Sequence, residues 1–274
     1  MMDTVMSLLP LAAMMLATGV VAGILAGLLG VGGGIVIVPV LDTALGFYGV
    51  DPAIRMHVAV ATSLACIVVT SISSSRAHHA KGSVDFSIVK VWGPAVFIGS
   101  ILGTVGASYV DSQILSALFG GIALLVALKM LLPMDDVNLS QDVPRGLVAP
   151  FPPLVIGGLS SMMGIGGGTL SVPVLTLMNQ TIHKAVGTAA IFGLLISLPG
   201  TLGFVVSGLS DPRLPIGSLG YVNIIGFLLI SPVTVWAAPI GAKFAHKLDK
   251  RKLGMLFGGF LFIVSCRMIY RTFV

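Results

Sequence analysis

The residues of this chain best placed to do chemistry are glycines. Gly30, Gly32, Gly33 and Gly34 fall within five positions, and Pro39 follows five residues after the last of them. The phrase returns as Gly164, Gly166, Gly167 and Gly168, with Pro173 behind it. A glycine-rich break between a long helix and a short one releases backbone groups from intrahelical pairing. At membrane depth such groups are tolerated only inside protein or against a water-filled cavity. The short helix after each break presents free N–H groups and the positive end of its dipole, which suits a small anion. Packing and kinking alone would account for one such cluster. Two matched clusters favour a shared anion site near the membrane midplane. The second copy carries Thr169 where the first has Ile35, and Ser161 where the first has Gly27, so the two half-sites are not identical.

Other polar residues fall around these phrases. Thr62, Ser63 and Thr188 could offer neutral hydroxyl donors to an oxyanion, or equally could tie helices together. His57 and His183 stand at equivalent positions ahead of equivalent apolar runs. A protonatable pair on opposite sides would couple transport to protons, although interfacial histidines closing a loop are the simpler reading. Asp42 is an acid inside a short apolar segment, which makes it a candidate for gating or coupling; its counterpart is Thr176. Arg55 reads as an ordinary loop arginine, with Thr181 as its counterpart. His78 and His79 near Lys81 lack cysteines or carboxylates at ligand spacing, so neither a metal site nor a cofactor is expected. No His-Glu-x-x-His pattern, nucleophile–base signature or P-loop occurs, and no catalytic residue is assigned.

The elements that position these residues are apolar almost throughout. Of 274 residues, 56% are apolar and 9% charged, with a mean hydropathy of +1.06. A soluble domain needs about a quarter of its residues charged, so lipid must cover most of this surface. Near-continuous apolar runs, rather than alternation, predict helices and not a barrel. The first 29 residues carry no Lys or Arg, which predicts a retained segment rather than a cleaved leader. Cys66 and Cys266 both lie in apolar runs. The net charge of +5 does not point to nucleic acid in such a chain; the partners expected are lipid and a small anion, and self-association is compatible with the composition.

Apolar runs at 5–29, 35–47, 56–72, 88–110 and 114–132 are followed by a polar stretch, and the series then restarts at 147–163, 170–178, 185–206, 221–244 and 253–269. The glycine phrases match at an offset of 134, His57 to Thr62 matches His183 to Thr188 at 126, and Pro94, Gly103, Ala107 and Asp111 match Pro232, Gly241, Ala245 and Asp249 at 138. This predicts a first repeat over 1–132, a polar cytoplasmic linker over 133–146 and a second repeat over 147–274. If the segments alternate sides, eleven Lys and Arg fall on one side and four on the other, so the first side is cytoplasmic and both termini are periplasmic. Each repeat then crosses an odd number of times, and the second is inverted against the first. The predicted fold is an all-α polytopic membrane protein of two inverted-topology repeats, about five helical segments each, with Gly-rich broken or re-entrant helices.

The doubled phrase G-x-G-G-G-x-x-x-V-P-x-L, at Gly30 to Leu41 and Gly164 to Leu175, resembles that of the TauE/SafE sulfite exporter family, also called the toluene-sulfonate uptake permease family. The resemblance covers about residues 16–270. It implies a permease of the cytoplasmic membrane for small sulfur-containing or organic anions such as sulfite or sulfonates. An anion channel and, less readily, an intramembrane enzyme are the other classes weighed.

Overall fold

The computed structural model describes residues 2–29, 32–132, 150–244 and 250–273. Those residues form ten helices: α1 (Met2–Leu29), α2 (Gly34–Phe47), α3 (Pro52–Ala80), α4 (Phe86–Ser108), α5 (Ser112–Leu131), α6 (Phe151–Met162), α7 (Gly168–Leu177), α8 (Ile182–Gly208), α9 (Ile224–Phe244) and α10 (Lys250–Phe273). A two-stranded hairpin, β1 (Ser218–Leu219) with β2 (Val222–Asn223), leads into α9. Gly30 and the expected linker at 133–146 lie outside the described residues.

Local chemistry explains where the helices begin. Asp51 caps α3 by accepting from Ala53 N at 2.9 Å, with Pro52 in the first turn, where its missing N–H costs nothing. Asp85 caps α4 by accepting from Ser87 N at 3.0 Å. Gly33, at φ 77°, takes the left-handed turn that redirects the chain into α2. The sequence places Arg76, His78 and His79 in a polar connection, but α3 runs on to Ala80 and carries all three. The short hairpin shortens the segment read as 221–244, so that its helix starts only at Ile224.

Contacts fix the helix directions. Thr62 meets Asn223 and Thr70 meets Thr234, so α3 and α9 run parallel. Gly19 lies against Ile230 and Gly23 against Thr234, which puts α1 in the same direction. Trp92 stacks on Phe192 and Ser100 bonds to Ile196, so α4 and α8 are parallel to each other. Ser71 opposes Gly193 while Leu64 opposes Gly200, so they are antiparallel to α3. Gly99 lies against Leu154 and Gly103 against Gly158, which aligns α6 with α4. Corresponding helices of the two repeats therefore point in opposite directions, which is the inverted topology.

For the second glycine break, the short helices settle a point of topology that sequence leaves open. At 1.5 Å per residue, the 12 residues of α6 and 10 of α7 reach only about 18 and 15 Å, against a hydrocarbon core of about 30 Å. Arg55, in the first turn of α3, touches Asp42 and Gly46 while Ile67, further along α3, lies against Gly34, so α2 runs back along α3. The α7 start sits against Phe192 and Gly193 and its end joins the α8 start. Both glycine breaks are thus tips of hairpins that reverse direction.

The repeats exchange arms. α1 packs mainly on α9 and α6 mainly on α4, while α3 faces α8 and α5 faces α10. The glycines that permit this obey the sequence offsets. Gly23 meets Thr234 as Gly157 meets Val96, and Gly241 meets Ile24 as Gly103 meets Gly158. Small residues let the backbones close up where hydrophobic force between helices is absent.

Candidate functional site: crossed glycine hairpins

Gly32, Gly33 and Gly34 are buried, as are Gly164, Gly166, Gly167 and Gly168. The two breaks meet. A Cβ added to Gly34 would strike the Gly164 carbonyl and come within 3.0 Å of Ile165 Cα, and one on Gly32 would lie 3.4 Å from Gly166 Cα. Gly164, at φ 66°, is pressed on Val60, where a Cβ would sit 2.8 Å from its Cα. Gly167 is closed by Gly193 N at 2.7 Å, and Gly33 by Ala22 O at 2.8 Å. Ser63 Oγ donates to Gly164 O at 2.7 Å, so the α3 hydroxyl holds the opposite repeat's break.

The other hydroxyls divide by environment. Thr62 Oγ1 accepts from Asn223 N at 2.9 Å and Thr188 Oγ1 accepts from Asp85 N at 3.0 Å; both tie helices. Thr169, in the first turn of α7, is 3% exposed, and its Oγ1 has no hydrogen-bond partner among the described residues. Ser171 Oγ on the same helix shares that state, as do Ser160 Oγ on α6 and Ser197 Oγ on α8. A buried polar atom without a partner is costly in a dry interior.

The two histidines part company. His57 is buried, with Nε2 3.1 Å from Ala107 O and Nδ1 3.1 Å from Ser112 Oγ, and its ring lies 5.2 Å from that of Tyr221. The Ala107 carbonyl can only accept, so Nε2 carries a proton. A neutral ring then accepts from Ser112 at Nδ1. A protonated ring donates there, leaving the Ser112 hydroxyl for Ala53 O, 2.7 Å away. His57 is therefore embedded between α3, α4 and α5 rather than closing a loop. His183 is exposed in the first turn of α8.

Asp42 and Arg55 form an ion pair, Nε to Oδ1 at 2.9 Å, with side chains 11% and 17% exposed. Arg55 is consequently not the loop arginine that the sequence suggests, because α3 begins at Pro52 and turns it onto α2. The pair borders a cavity of about 110 Å³ shared with Ser112, Gln113, Ser116 and Met268. Nearby, Arg213 binds Asp211 through two nitrogens, at 2.9 and 2.7 Å, and reaches Asp51 at 3.8 Å. Those hydrogen bonds hold the Asp211 carboxyl well below its ordinary range. Burial, with the Asp211 charge beside it, pushes the Tyr221 phenol up. At the far end of α3, Ser87 holds the Asp85 carboxyl low, with Lys184 3.8 Å away. Sequence reasoning passed over Ser112, Tyr221, Asp85 and Asn223; only the last two had a signal, since they match at the offset of 138.

An inverted repeat whose two glycine breaks cross, inside helices long and apolar enough to span, is the architecture of many secondary transporters. The chain belongs to the Sulfite exporter TauE/SafE family, whose pattern it matches over residues 15–268, and it is a membrane transporter. It is 33% identical to a Haemophilus influenzae protein named "Probable membrane transporter protein", over 93% of this chain and 97% of the relative. A similarly named protein of Bacillus subtilis is 28% identical over 92% and 95%, and one of Methanocaldococcus jannaschii is 26% identical over 96% of each. No solved structure matches the chain.

Proposed function

We propose that this protein is a secondary transporter, a permease for small sulfur-containing or organic anions such as sulfite or sulfonates, working in the cytoplasmic membrane. The observation that carries this reading is the unpartnered Thr169 hydroxyl, buried in the first turn of a ten-residue helix whose N-terminus lies at the hairpin crossing. A helix start and an orphaned hydroxyl together make a neutral donor set for one anion, without a buried cation. The contact of Gly34 with Gly164 supports a position for the anion beside the crossing on the α7 side rather than between the two breaks. Sulfur oxyanions as the class are suggested by the family. Arg76, Lys81, Lys90, Lys129, Lys184 and Lys243 all gather at the end of the bundle where α3 finishes, while Arg55, Arg213 and Arg267 lie at the other. The positive-inside rule makes the first end cytoplasmic, with α1 starting and α10 ending on the periplasmic side.

The test is counterflow of labelled sulfite in proteoliposomes, alongside thermal shift of the purified protein against sulfite, sulfate and alkanesulfonates. Thr169→Val keeps the shape and removes the hydroxyl. It is expected to abolish both the shift and the exchange while leaving the ligand-free melting temperature close to that of the parent. An unchanged shift in this variant would refute the α7 site, and conductive flux without exchange would make the protein a channel.

A further inference from the structure

Two hydrogen bonds in the bundle are images of one another. Thr62 Oγ1 of α3 accepts from Asn223 N, and Thr188 Oγ1 of α8 accepts from Asp85 N, at 2.9 and 3.0 Å. The threonines correspond at the repeat offset of 126 and the donors at 138. Each donor is the residue just before a helix, α9 or α4, and its side chain also accepts from that helix's first turn: Asn223 Oδ1 from Gly226 N at 2.8 Å, Asp85 Oδ1 from Ser87 N at 3.0 Å. Each bond also crosses between repeats, tying the third helix of one to the entrance of the fourth helix of the other. One lies toward the Asp51 end of the bundle and the other toward the Lys81 end.

Their neighbours show what the bonds close. Beside the first, a Cβ on Gly226 would lie 3.4 Å from both Thr62 Cγ2 and Leu41 Cδ2, so the α2 arm of one hairpin is shut in by this junction. Leu175 is the equivalent residue on α7 at the offset of 134, and both leucines are fully buried. At the second junction, a Cβ on Gly187 would strike the Ser83 carbonyl and lie 2.7 Å from its carbonyl carbon. The loop before α4 is thus seated on α8 with no gap. With both bonds formed, the α2 arm is shut in at one end of the bundle and the loop before α4 is closed onto α8 at the other.

We infer that the Thr62–Asn223 and Thr188–Asp85 hydrogen bonds are the paired latches of alternating access, one released when the Asp51 side opens and the other when the Lys81 side opens. A pseudo-two-fold carrier needs two such elements of equal kind, because each open state is the other with the repeats exchanged. A neutral bond from a threonine to a backbone amide suits this role. Its net worth corresponds to about a fivefold population shift, large enough to bias a state and small enough to break in every cycle. The assignment rests on the protein being a transporter and is independent of which anion it carries or where the anion sits.

The test uses the full chain in oriented vesicles, with Cys66→Ala and Cys266→Ala as background and Leu41→Cys or Leu175→Cys as reporters for a membrane-impermeant maleimide added to one side. Thr62→Val is expected to speed labelling of the Leu41→Cys reporter from the Asp51 side about fivefold and to slow that of Leu175→Cys from the Lys81 side. Thr188→Val should do the reverse, and Thr→Ser at either position should return the parental rates. Thr62→Ala and Thr188→Ala carry the same expectation and replace a valine variant that does not fold. Equal changes at both reporters, no change at either, or a serine variant that behaves like valine overturns the assignment. Hydrogen exchange of the unsubstituted protein is an independent readout. The Asn223 and Asp85 amides should exchange through local opening, faster than core amides of α3, and protection equal to that core would also overturn it.

Discussion

The packing of the first hairpin tip can be taken apart with three alanines. Gly106 in α4 faces open space, Gly49 has φ 70° with nothing near its missing Cβ, and Gly33 combines φ 77° with Ala22 O only 2.8 Å from the Cβ position. Gly106→Ala changes only helix propensity and should stabilise by about 0.5–1 kcal/mol. Gly49→Ala adds the left-handed dihedral alone and should cost about 1–2 kcal/mol. Gly33→Ala carries the same dihedral cost plus a clash with backbone, which cannot swing away, worth about 1–3 kcal/mol. The order of apparent melting temperatures in detergent should therefore be Gly106→Ala at or above the parent, then Gly49→Ala, then Gly33→Ala. The gap between the last two measures the contact of α1 with the start of α2. A Gly33→Ala protein that melts together with Gly49→Ala would show that the contact is loose and that the crossing is not held as described. The same comparison warns against reading bulky residues at Gly33 or Gly167 as probes of binding, since both glycines are closed by backbone.

Two further outcomes follow from the charged groups near the Asp51 end. Asp42→Asn leaves Arg55 mostly buried without its carboxylate, a loss between those of exposed and buried pairs, about 1–3 kcal/mol; adding Arg55→Met should restore roughly half of the lost melting temperature. Asp211 has its folded-state pKa depressed by hydrogen bonds from Arg213, so the stability it contributes is present above the unfolded carboxylate value of about 4 and is lost as pH falls through the lower folded value. Asp211→Asn should flatten the acid side of the melting-temperature profile below about pH 4, and an unchanged profile would mean that the Arg213 contact contributes nothing in solution.

How far the sequence reaches depends on whether a property is periodic or assembled. Apolar runs, the offsets of 126, 134 and 138, and the glycine phrases are local patterns, and Gly23 with Thr234 beside Gly157 with Val96 shows that those offsets describe real contacts. Environment is different. His57 and His183 look alike in sequence, yet one is sealed between Ala107 and Ser112 and the other is exposed, because α5 and the β hairpin cover only the first. Arg55 gave no sign of Asp42, its partner 13 residues away, since the pairing needs α2 to double back along α3. Thr62 and Thr188 were legible as equivalent polar residues, but not as acceptors. Their donors are backbone amides in distant segments, and every residue but proline offers one.

The exchanged arms carry a consequence for the making of the protein. α1 ends at Leu29 and its main partner α9 starts at Ile224, roughly 195 residues later. At a synthesis rate of about 5–20 residues per second, α1 waits on the order of 10–40 s for the surface that its Gly19 and Gly23 fit. α6 meets a ready-made α4 as it emerges, so the second hairpin can dock at once. The two repeats are related by a pseudo-two-fold rotation in the finished bundle, but the ribosome delivers them unequally. The α1 arm of the first hairpin must be sheltered by lipid or by the insertion machinery until the ninth helix arrives, and a chain that stops before α9 leaves that arm without its main partner.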